Sequence, residues 1–106
     1  MRRSLKIDKI VKAWAPNYGL NLQTIYKDEN VRSIAVVDDS GNVYQIWIEQ
    51  LKRGRVRVSS SNNLSGKKSK NWTRKTRISK LDRALDRAYD KVSDWIQKSG
   101  NSRNPI

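Results

Sequence analysis

Between Lys52 and Lys80 the chain carries eleven Lys or Arg residues and no Asp or Glu. The rest of the 106 residues holds twelve basic and ten acidic ones, so nearly all of the net charge of +13 belongs to this segment. Charge serving solubility alone is spread out and mixed in sign. A single-sign block makes a local positive field that draws anions. Its cations fall in two groups. Lys52, Arg53, Arg55 and Arg57 lie on or beside an expected hairpin, and Lys67, Lys68, Lys70, Arg74, Lys75 and Arg77 lie on the following loop and strand. Binding a phosphate backbone needs positive charge at several points along a track, which a Lys/Arg mixture supplies. Ser and Asn of the same loop can add hydrogen bonds to phosphate oxygens.

Trp47 and Trp72 accompany these cations. An indole beside basic residues can stack on a nucleobase, worth about 1–3 kcal/mol per base. Either ring can equally serve as packing, Trp72 as an anchor for its loop. The expected partner is nucleic acid, RNA or DNA, gripped without catalysis. The alternative is a protein-interaction or inhibitor module that docks an acidic protein surface and dimerises through its sheet.

Catalysis finds little material. Cysteine and histidine are absent. That removes disulfides, thiolate chemistry, the usual zinc ligands and the commonest general base near neutral pH. There is no Gly-rich phosphate loop, and Asp38–Asp39 reads as turn chemistry ahead of Gly41. Asp82, Asp86, Asp90 and Asp94 recur every four residues beside Arg83, Arg87 and Lys91. This is an ordinary charged helix face with pairs such as Arg87–Asp90, because side chains on one helix rarely converge into a metal cage. No enzyme activity, cofactor or metal is expected. No apolar run approaches the roughly 20 residues of a membrane span. The start, "MRRSLKIDKIVKAWAP", lacks the continuous apolar core of a signal peptide. A cytoplasmic protein without a membrane partner is expected.

The elements that must position these residues follow from periodicity. Ile7, Ile10, Val11 and Trp14 recur at helical spacing and predict a helix over 5–14, with Ser4 as its cap and Pro16 as its end. Strands are expected at 20–27, 31–38, 42–49 and 55–59, with a weaker alternation in "WTRKTRIS". Leu81, Ala84, Leu85, Ala88, Val92 and Ile96 form one apolar stripe, bordered by Tyr89 and Trp95. They predict a helix capped by Ser79 and Asp82 and closed by Gly100.

The fold expected is α+β, of order α-β-β-β-(β)-α. A small antiparallel sheet of three to four strands would carry the N-terminal and C-terminal helices on one face. One domain spans 1–100, with a mobile basic loop at about 59–71 and a disordered tail at 101–106. Ile34, Val36, Tyr44, Ile46, Ile48, Val56 and Val58 face the core, and Trp14 and Trp95 join it. Ala35, Val37, Val43, Gln45, Trp47, Arg55 and Arg57 take the reverse face. The apolar partners pair best as Ile48 with Val56 and Ile46 with Val58, which sets Trp47 opposite Arg57 and Glu49 opposite Arg55. The reverse face is rather apolar, so either a second copy or residues 64–78 folded back would cover it.

Overall fold

The computed structural model describes residues 6–20, 22–23 and 30–102, with side chains described for 6–20 and 30–98. Helix α1 spans Lys6–Trp14, and helix α2 spans Leu81–Ser102. Between them lies an antiparallel sheet in simple meander order. It consists of β1 (Leu22–Gln23), β2 (Val31–Val37), β3 (Val43–Gln50), β4 (Arg55–Ser61) and β5 (Asn71–Arg77). The α-β-β-β-β-α order expected from periodicity is the observed one, with four full strands and the two-residue β1 at the edge. The remainder of the first expected strand and the Ser4 cap lie outside the described residues.

Alternation decides which side of the sheet is inside. Ile34 and Val36 of β2, Tyr44, Ile46 and Ile48 of β3, and Val56 and Val58 of β4 are all buried. They form one core with Ile7, Val11 and Trp14 of α1 and with Leu81, Ala84, Leu85, Ala88 and Val92 of α2. Both helices therefore cover the same face, and Trp95 packs half-buried at its margin. Leu85 is fully buried in this close-packed core, so Leu85→Ala should destabilise by about 2–5 kcal/mol. An unchanged denaturation midpoint would contradict this packing.

Turn chemistry fixes both central hairpins. Between β2 and β3, Asp38 Oδ1 accepts the N–H groups of Ser40 and Asn42, each at 2.9 Å. Gly41 closes the loop at φ 86°, a conformation that favours glycine. Between β3 and β4 the expected register is corrected. Ile48 pairs with Val58 and Ile46 with Ser60, while Trp47 faces Ser59 and Glu49 faces Arg57. The shift is two residues, so every side chain keeps its face. Its cause is a turn centred one residue later than "QLKRG" suggests. Gln50 still belongs to β3, opposite Val56. The chain then reverses through Arg53 and Gly54, both at positive φ, with the Arg55 N–H bonded to Lys52 O. Positive φ at both central residues is the type I′ hairpin geometry.

Three further expectations change. Ile78–Lys80 wind as a 3-10 turn, so α2 begins at Leu81, past the expected Ser79 cap. Helix α2 also runs through Gly100 instead of ending there. Ser60, Ser61 and Asn71, expected in a loop, are strand. Asn62 ties the connection between them: its Oδ1 accepts the N–H groups of Leu64 and Lys70, and its Nδ2 donates to Lys68 O.

Candidate nucleic-acid interface

The face of the sheet turned away from the helices is built as a series of rungs. Arg55 of β4 pairs with Arg77 of β5. The next rung runs Val31, Glu49, Arg57, Lys75, and the one after it Ser33, Trp47, Ser59, Thr73. Then come Ala35, Gln45, Ser61 and Asn71, and finally Val37 opposite Val43. The face thus grades from cationic at one end to apolar at the other, where Val37, Val43 and the nearby Leu64 are 60%, 42% and 53% exposed.

Two like-charged pairs stand directly opposed at the cationic end. Such pairs destabilise a sheet. Arg57 is partly compensated by Glu49, at 2.8 Å from Nη1 to Oε1. Arg55, Lys75 and Arg77 have no acidic partner among the described residues. Two adjoining hollows open here. One of about 460 Å³ is lined by Lys52, Arg53, Gly54, Arg55 and Arg77. The other, of about 410 Å³, is lined by Arg55, Lys75, Thr76, Arg77, Ser79 and Lys80. They share Arg55 and Arg77, and no carboxylate lines either.

Arg53 holds φ 60° and ψ 37° at the tip of the hairpin. A side chain in this left-handed region costs about 1–2 kcal/mol, and Asn is the residue that tolerates it. Arg53→Asn should therefore raise the denaturation midpoint while weakening any anion binding at this end. A lower midpoint would show that the guanidinium stabilises the turn itself.

The sequence-predicted site residues do not all gather. Lys52, Arg53, Arg55, Arg57, Lys75 and Arg77 come together at the cationic end, joined by Lys80, which the sequence reading did not single out. Its position three residues after Arg77, at the end of the acid-free segment, was the available signal. Lys67, Lys68 and Lys70 precede β5, whereas Arg77 ends it. Six residues of strand separate those ends by roughly 20 Å.

Arg74 and Trp72 occupy the other face of β5, opposite Val58 and Ser60. Trp72 packs half-buried against the core, and the Arg74 guanidinium lies 5.8 Å from its ring centroid, a cation–π distance. Trp47 is on the open face and half-buried.

The acidic line of α2 does different work. Asp86 Oδ1 accepts both the Trp14 indole N–H, at 2.8 Å, and the Tyr18 hydroxyl, at 2.9 Å. This fastens α1 and the following turn to α2. The bond to Asp86 pushes the Tyr18 phenol above its ordinary range. A phenol held protonated by the fold stabilises at lower pH and loses that contribution as pH rises through the raised value. Among the described residues the Arg87–Asp90 pair does not form, and the ion pair of α2 is Lys98–Asp94 at 3.2 Å. A hollow of about 720 Å³ beside Trp14 and Tyr18 is lined by Asp82 and Asp86, with Lys9 the one cation, and is unsuited to an anion. Among the described residues no acids gather as a metal ligand set, and no helix is long and apolar enough to cross a membrane.

The fold and this surface define a small α+β domain with one cationic sheet end. Comparisons with family models, with curated proteins and with solved structures each found no match.

Proposed function

We propose that the protein is a non-catalytic nucleic-acid-binding protein that grips the phosphate backbone through the cationic end of its open sheet face. The observation that carries this reading is the opposed Arg55–Arg77 and Arg57–Lys75 rungs. Placing like charges face to face costs folding stability. A bound polyanion reverses the sign of that cost, because the same side chains then form charge-assisted hydrogen bonds to phosphate oxygens. The tip of the β3–β4 hairpin adds Lys52 and Arg53, and Thr76 and Ser79 add hydroxyl donors. A cytoplasmic protein would meet such a partner directly.

Fluorescence anisotropy with labelled DNA and RNA oligonucleotides over a salt series tests the reading. If about five cations contact phosphates, log K should fall against log salt with a slope near −4.5 for a duplex and −3.5 for a single strand. A folded protein that binds no oligonucleotide even at low salt would end the nucleic-acid reading and leave an acidic protein as the partner to seek.

A further inference from the structure

On the reading that the open face binds nucleic acid, we propose that its ligand is a single strand. One base would stack on Trp47, and the adjoining phosphates would lie on the Arg57–Lys75 and Arg55–Arg77 rungs. The rung order carries the inference. Trp47 stands one rung from Arg57 and Lys75, on the same face. Opposed residues of neighbouring strands are about 4.5–5.5 Å apart. Residues two apart along a strand are separated by about 6.8 Å. The four cations thus form a compact patch beside one aromatic ring, on the scale of neighbouring nucleotides of one strand.

A duplex fits this face poorly. The major groove, about 12 Å wide, admits a helix or a two-stranded ribbon. Five strands span about 19 Å from first to last. A duplex also keeps its bases stacked on one another, which leaves Trp47 no base face.

The ring's surroundings suit a base. Trp47 is half-buried, and its indole N–H has no hydrogen-bond partner among the described residues, whereas that of Trp14 is bonded to Asp86. Its rung neighbour Ser59 shares a hydrogen bond with Thr73 at 3.1 Å, and both hydroxyls lie on the way from the ring to β5. Gln45 and Asn71 occupy the next rung, where amides can meet base edges. Single-strand binders combine these two features, a cationic track and a stacking platform.

The test compares a short single strand with the duplex of the same sequence, by anisotropy at matched salt. Tighter binding of the single strand by about tenfold or more is expected. Trp47→Leu should lower single-strand affinity roughly 5- to 150-fold, the equivalent of about 1–3 kcal/mol per stacked base, and leave the salt slope nearly intact. Trp47→Phe, which keeps a ring, should retain most of the affinity. Thermal melts establish that each variant folds. Should the leucine variant not fold, intrinsic fluorescence decides: oligothymidylate should quench the wild type more than Trp47→Phe. Equal or tighter duplex binding overturns the single-strand assignment. So does unchanged affinity in folded Trp47→Leu, or equal quenching of the wild type and Trp47→Phe. In each case salt-dependent binding still supports the nucleic-acid reading. Absence of binding to either form overturns both.

Discussion

Replacing Arg55 and Arg77 together by Ala should abolish most nucleic-acid binding and leave the fold at least as stable. Each guanidinium is expected to make one charge-assisted hydrogen bond to phosphate, worth about 1.5–3 kcal/mol. Losing two removes about 3–6 kcal/mol, a fall of more than 100-fold in affinity. The salt slope should flatten by about 1.4–1.8, since each lost contact removes roughly 0.7–0.9. Stability moves the other way, because the two arginines face one another across β4 and β5 without an acid between them. Removing a like-charged cross-strand pair should gain about 0.2–1 kcal/mol. Few changes predict opposite signs for binding and folding, so the pair of measurements separates a ligand site from a structural one. The control is Lys67→Ala/Lys68→Ala/Lys70→Ala. It removes three charges at the far end of β5 and should cost less affinity than the two arginines. A larger loss in the triple variant would move the site to the loop.

That control exists because the sequence and the fold organise charge differently. Along the chain the eleven cations read as one block. Folding deals them to two ends of β5 and to both of its faces. Arg55, Arg57, Lys75 and Arg77 gather because period two puts alternate residues of paired strands together, and this was readable once the strands were placed. Arg74 was lost from the group by the same rule, being one residue out of phase. Trp72 shares its phase, which is why it meets the core and not the open face. The face of β4 was the most legible, since Val56 and Val58 alternate with Arg55, Arg57 and Ser59, whereas β2 and β3 carry apolar residues such as Ala35, Val37 and Trp47 on the reverse face as well.

The β3–β4 register was not legible to two residues. Sliding by two preserves the pattern of faces, and apolar matching then discriminates weakly. The turn decides, and Arg53 is an unusual choice for a residue with positive φ. A propensity reading therefore passes over the type I′ geometry. The entry to α2 was misplaced for a similar reason: Ser79 has the chemistry of a cap, but the 3-10 turn at Ile78–Lys80 starts the helix later.

One inward-facing residue was available in the pattern and carries the largest expected loss of stability. Arg32 lies two residues before Ile34, so period two sends it to the core face, opposite Ile48. A buried guanidinium needs an acid. Asp8 supplies it from the edge of the α1 stripe, one residue after Ile7 and three before Val11. Arg32 Nε stands 2.9 Å from Asp8 Oδ1, and the two side chains are only 4% and 10% exposed. Arg32 also donates to Val31 O at 3.0 Å.

Desolvating two charges offsets much of their attraction, so the pair adds little net stability, but removing Asp8 takes a carboxylate 2.9 Å away from a buried guanidinium. Asp8→Ala should therefore destabilise by about 3–5 kcal/mol. Against a total of about 5–15 kcal/mol for a domain, that leaves little stability in reserve. Replacing both members, as Asp8→Ala/Arg32→Met, should recover most of the loss, because a flexible apolar side chain fills the space without a charge. Urea denaturation of the two single variants and the double measures the cycle. The double variant should also bind oligonucleotides normally, since Asp8 and Arg32 lie on the helix side of the sheet. A loss below about 1 kcal/mol for Asp8→Ala would mean that Arg32 reaches water or another acid, and that α1 is not held to β2 by this pair.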